Sequence, residues 1–184
     1  GTMEELKQMS MLGKMPEGLY RPILAEETFS IGDLSILPFE ISHDAAEPVG
    51  YRVSHGEKSV GIATDMGVYD EKIVENLQGL DALLLEANHD VRMLQVGAYP
   101  YSLKQRILGA IGHLSNFACS EYIKELAKSG TTRFVLAHLS RENNLPELAR
   151  QTAVAALSEI DMEENKDYRL YVSPPENDSR SIIL

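Results

Sequence analysis

Apolar residues gather into short runs separated by polar and glycine-rich breaks. Leu34–Ser42 (LSILPFEIS) reads as a strand. Val49–Ser54 and Ser59–Thr64 read as two more, joined by a turn at His55-Gly56-Glu57. Ala82–Glu86 (ALLLE) and Arg133–Ala137 (RFVLA) are short, mainly apolar runs of the kind buried in a sheet. Between them the spacing predicts helices over Asp70–Leu80, His89–Val96, Ser102–Ile111 and Ser115–Ser129. In the last of these, Ala118, Tyr122, Ile123 and Leu126 share one face, and Gly130 is the expected stop. Asn144-Leu145-Pro146-Glu147 predicts an N-cap with a partner carboxylate three residues on, opening a helix to about Glu159. Tyr168–Val172 reads as an edge strand. Met3–Met15 reads as a short helix, Gly18–Thr28 as a loop, and Pro174–Arg180 as a mobile tail. Strands alternating with helices predict an α/β fold. The hairpin-joined early strands make its sheet mixed.

Composition narrows the class. The chain has 184 residues, 43% of them apolar and 24% charged, enough for one domain with a buried core. No apolar run reaches the roughly 20 residues a bilayer-spanning helix needs, and no leader pattern is visible at Gly1-Thr2-Met3. The one cysteine, Cys119, excludes an internal disulfide and a cysteine-built zinc cage, which predicts a cytoplasmic setting. The net charge of -11 argues against a basic, nucleic-acid-coating surface. It leaves open a nucleic acid held through bound cations.

Four strand-like runs each end in a side chain able to bind metal or move a proton. His43 and Asp44 follow the first, Asp65 follows VGIAT, Glu86 follows ALLL, and His138 follows RFVLA. In sheets of this kind ligands bind beyond the carboxyl ends of strands. His113, in Gly112-His113-Leu114-Ser115-Asn116, stands just before a helix. Imidazole and carboxylate suit zinc, and also manganese or iron. Two such ions about 4 Å apart activate water and clamp a phosphoryl group. Each residue also has an ordinary reading. Asp65 fits a turn, Glu86 and Asp90 fit helix capping, and Asp44 and Glu47 fit solvated loop charges. His55 fits a surface hairpin tip, and Cys119 fits the core.

Ser42-His43-Asp44-Ala45-Ala46-Glu47-Pro48-Val49-Gly50-Tyr51 resembles the third metal motif of metallo-β-lactamase-fold hydrolases. Thr64-Asp65-Met66-Gly67 resembles the fourth, and Leu136-Ala137-His138-Leu139-Ser140 the fifth. Leu85-Glu86-Ala87-Asn88-His89-Asp90, Gly112–Asn116 and Ala137–Asn144 look like the YycJ/WalJ (VicX) branch, which is related to the tRNase Z and β-CASP nucleases. The resemblance runs from about Gly32 to Ala155.

It implies an αβ/βα sandwich with two divalent metal ions at one edge. His43 would bind one ion, Asp65 would bridge both, and His138 would bind the other. His113 would contact the scissile phosphate or assist proton transfer, with Glu86 orienting it. Ser115, Asn116 and Ser140 would hold phosphate oxygens. The implied activity is a metal-dependent phosphodiesterase, a DNA exonuclease in a bacterial cytoplasm. A small-molecule metallo-hydrolase (of a cyclic phosphodiester, thioester or lactone) and a non-catalytic fragment are the alternatives.

The family's His-x-His-x-Asp-His motif does not occur in the sequence. Residues 1–184 are therefore expected to form one partial domain, the C-terminal half of the sandwich. Its partner is expected to be the N-terminal half or a companion chain. The absent half would leave an apolar sheet face open, which favours homo-oligomers.

Overall fold

A computed structural model describes residues 21–68 and 70–174. The helix expected over Met3–Met15 and the tail beyond Pro174 lie outside them. Seven strands form one mixed sheet in sequence order: β1 (Phe29–Ile31), β2 (Leu34–Glu40), β3 (Val49–His55), β4 (Lys58–Ala63), β5 (Ala82–Glu86), β6 (Arg133–Ala137) and β7 (Arg169–Val172). β1 to β4 are antiparallel, and β4 to β7 run parallel. The change follows the connections: a turn joins β3 to β4, whereas helices carry the chain back after β4, β5 and β6. These helices are α1 (Glu71–Leu77), α2 (Val91–Val96), α3 (Tyr101–Leu108), α4 (Asn116–Lys128) and α5 (Pro146–Ser158).

One sheet face is sealed. Phe39, Ala63, Leu83, Leu85, Phe134, Leu136 and Leu170 form a single core with Ile73 and Leu77 of α1, Tyr122, Ile123 and Leu126 of α4, and Ala149, Ala153 and Leu157 of α5. Apart from Glu86 and Arg133 at their ends, β5 and β6 are apolar because a parallel central strand shows little of either face to water. On the other face Tyr51, Ile62, Leu84, Val135 and Tyr171 neighbour one another across β3 to β7. They are half-buried or exposed.

Several elements are shorter than their sequence pattern. α1 stops at Leu77, not Leu80: Gly79 takes φ +64°, and the Arg52 guanidinium donates to the carbonyls of Asn76 and Gln78, groups that a longer helix would keep. α2 begins at Val91 because Asp90 caps it, accepting from the Met93 amide. α5 is not capped by Asn144 with Glu147. Its N-cap is Leu145, without a side-chain cap, because the Asn144 carboxamide is committed inside the protein. β1 was not foreseen; three residues carry too little alternation to register.

Candidate metal centre

The carboxyl ends of β2, β4, β5 and β6 lie side by side, and the turns that leave them converge. Two hold unusual backbone. Asp65 and His138 sit at φ 61° and 56°, a left-handed conformation that side chains other than glycine's rarely adopt. Such strain persists where surrounding contacts enforce it, and here they do. The Gly67 amide donates to Ser42 O at 2.9 Å, and Ser42 Oγ donates to Ala110 O at 2.8 Å. A Cβ on Gly67 would collide with the Ala110 backbone, so glycine lets the Asp65 turn touch the loop that carries His113.

Glu86 anchors the histidines from below. Its side chain is fully buried at the end of β5. One oxygen accepts from His113 Nδ1 at 2.8 Å and His138 Nδ1 at 2.7 Å, and the other accepts from the Met66 and Leu114 amides. Burial pushes the Glu86 carboxyl up, but the bonds from His113, His138 and the Met66 amide outweigh it, and the net shift is downward. Its hydrogen bond in turn raises His138 above the ordinary imidazole value, against the opposing effect of burial. With both Nδ1 atoms donating, each ring keeps its lone pair on Nε2. His43 is set the same way: its Nδ1 lies 3.3 Å from Gly112 O.

Asp65 stands among the three rings. Its Oδ1 lies 3.9 Å from His43 Nε2, 3.7 Å from His113 Nδ1 and 3.6 Å from His138 Nδ1. The His43 and His138 rings each lie 5.3 Å from the His113 ring, centroid to centroid. These separations exceed hydrogen-bond length. They set the Asp65 carboxylate beside all three rings; because the His113 and His138 Nδ1 atoms already donate to Glu86, those rings could reach a cation only through Nε2. Among the described residues, Asp65, Glu86, His113 and His138 bring one donor atom each within 4.8 Å of one another. The donor set fits a divalent ion, with Glu86 fixing rings rather than ligating, because its oxygens are already engaged.

A family model described as "Beta-lactamase superfamily domain" matches residues 1–139. The chain belongs to the beta-lactamase superfamily. Within it, the chain is 35% identical over 175 residues to "Exodeoxyribonuclease WalJ" of Streptococcus pneumoniae serotype 2 (strain D39 / NCTC 7466), covering 95% of this chain and 65% of that protein. It is 34% identical over 149 residues to "Exodeoxyribonuclease YycJ" of Bacillus anthracis, covering 81% and 56%. The chain thus spans less than two thirds of the curated relatives it matches. Two solved structures share the fold. The metallo-beta-lactamase fold protein YhfI of Bacillus subtilis aligns with TM-score 0.59 at 16% identity, covering 82% of this chain and 51% of that one. Zn(2+)-bound PqqB of Methylobacterium extorquens aligns with TM-score 0.52 at 21% identity, covering 82% and 52%. Superfamily membership and the clustered donors together support divalent-metal binding.

The remaining expected site residues lie close by but are occupied. Ser115 Oγ caps α4, accepting from the Ala118 amide. Ser140 Oγ accepts from the Asn143 amide at 3.1 Å. The Asn116 carboxamide is buried against Asn144. Asp44 is more than a solvated charge. Arg106 of α3 holds it at 2.5 and 2.9 Å and drops its carboxyl to about 2. His55 is exposed at the tip of β3 and takes no part.

Sequence reading missed the stitching. Asn88 Nδ2 donates to His138 O, and Asn88 O accepts from the Ser140 amide. Asn144 Nδ2 donates to Ala87 O and Asn88 O. The signal available was asparagine in both loops, but that residue type is as common in ordinary turns.

Proposed function

We propose that the protein is a divalent-metal-dependent phosphodiesterase acting on DNA, with the exonucleolytic habit of its named relatives. The observation that carries this is the gathering of His43, Asp65, His113 and His138 around one carboxylate oxygen, in a chain 35% identical to a WalJ exodeoxyribonuclease. In this reading His43, Asp65 and His138 would hold the metal, with the two carboxylate oxygens of Asp65 able to serve more than one ion. A divalent ion in this fold polarises a phosphoryl oxygen and lowers the pKa of water.

The chain's own residues set the stage. Glu86 fixes the tautomers of His113 and His138, which aims both Nε2 atoms away from the core. His113, held at Nδ1 by Glu86, is left with Nε2 to pass a proton to the leaving oxygen. Ser115, Asn116 and Ser140 shape the rim and reach phosphate oxygens only by giving up internal bonds. Three ligand residues do not fill two coordination shells, so the remaining ligands are assigned to residues outside this sequence. Zinc, manganese and iron all suit the donors.

The test is cleavage by the whole protein of a linear duplex and of the same duplex as a covalently closed circle. Each is run with added metal and with chelator. Loss of the linear form alone, abolished by chelator, is the expected result. Equal attack on both forms contradicts exonuclease action, and inertness toward DNA with turnover of bis-p-nitrophenyl phosphate favours a small-molecule substrate.

A further inference from the structure

A cleft of about 660 Å³ opens beside His138, between the loop after β6 and the end of β7. Its size lies within the range of about 300–1,000 Å³ typical of small-molecule sites. Its lining includes His138, Ser140, Arg141, Leu145, Pro146 and Pro174, and among the described residues no aspartate or glutamate. That is notable in a chain with 28 acidic residues and a net charge of -11, where most surfaces repel an anion. Arg141 is exposed and forms no ion pair with any described residue that would neutralise it. Leu145 is 56% exposed although it is apolar. One wall therefore offers a cation and another a bare aliphatic surface, and His138 joins the cleft to the metal centre.

We propose that this cleft seats the nucleotide next to the scissile phosphate. Arg141 holds that nucleotide's own phosphate, and Leu145, Pro146 and Pro174 cover its sugar and base. A guanidinium grips phosphate oxygens in pairs. The aliphatic wall has contact with a base but no hydrogen-bonding edge, so the subsite accepts any base. This inference rests on the phosphodiesterase reading and names where its substrate's second residue lies.

The experiment compares the whole protein with Arg141→Ala and Arg141→Lys on a ten-residue oligothymidine and on bis-p-nitrophenyl phosphate, which contains no nucleotide. In parallel, binding of the labelled oligothymidine is followed by fluorescence anisotropy in EDTA. Arg141→Ala is expected to raise KM for the oligonucleotide about tenfold, to leave kcat within about twofold, and to weaken EDTA binding about tenfold. Arg141→Lys recovers part of each loss, and bis-p-nitrophenyl phosphate kinetics do not change. An unchanged oligonucleotide KM, or an equal loss on both substrates, overturns the subsite. If wild type cleaves neither substrate, the phosphodiesterase reading falls. The anisotropy then decides the cleft separately, with Arg141-dependent binding supporting it and Arg141-independent binding overturning it.

Discussion

Asn116 and Asn144 are joined amide to amide, each donating to the other's oxygen at 2.8 and 2.9 Å. Both side chains are buried, and Asn144 also donates to Ala87 O and Asn88 O. The pair clamps the loop after β6 to the start of α4 and to the loop after β5. Those three segments carry or adjoin His138, His113 and Glu86.

Breaking one half of this clasp strands buried polar groups. Asn144→Leu is expected to cost about 2–4 kcal/mol in urea unfolding, since several groups lose partners together. Asn116→Leu leaves fewer groups stranded and costs less. The double variant is expected to cost less than the sum of the two, because neither carboxamide is then left behind.

Glu86→Gln keeps the shape and removes the charge. Metal affinity, read by chelator competition, is expected to fall about 10–100-fold, the usual penalty for losing a carboxylate behind a ligating histidine. The His138 imidazole is expected to titrate lower than in wild type, followed by NMR on metal-free protein. Glu86 is the group that raises it.

His89 is buried with neither ring nitrogen partnered among the described residues, and burial drops its pKa to about 4. The folded state therefore binds this proton more weakly than the unfolded chain, whose imidazole titrates at about 6.5. Stability is fully present above that value and declines as pH falls toward 4, by on the order of 3 kcal/mol. Urea midpoints for chelated protein at pH 7 and pH 5 are expected to show the loss. His89→Leu is expected to flatten the slope.

Cys119 lies inside α4 at 1% exposure, and burial pushes its thiol well above the ordinary range. A thiol reagent is expected to leave it unmodified at pH 8 and to label it fully in denaturant.

The parts of this molecule legible in the sequence are those fixed by periodicity. Leu83, Leu85, Phe134 and Leu136 had to be buried, so β5 and β6 were found to the residue. His43, Asp65, Glu86 and His138, each read at or just beyond a strand end, do come together, because a strand is a rigid pointer. Asn144 shows what pattern misses. Its sequence context is that of a helix cap, yet its partner lies 28 residues away at Asn116, a pairing that only tertiary packing creates. Asp44 was hidden for the same reason, with Arg106 62 residues distant. The left-handed backbone at Asp65 and His138 is not legible in the sequence either, because aspartate and histidine only occasionally adopt it and the neighbouring loops decide where they do.

Metal titration of the whole protein by calorimetry, wild type beside Asp65→Ala, bears most directly on the shared-cation centre. Tight binding of divalent metal by wild type, with at least one ion lost in Asp65→Ala while the fold persists by circular dichroism, is the expected result. Equal stoichiometry and affinity in the two proteins would contradict it.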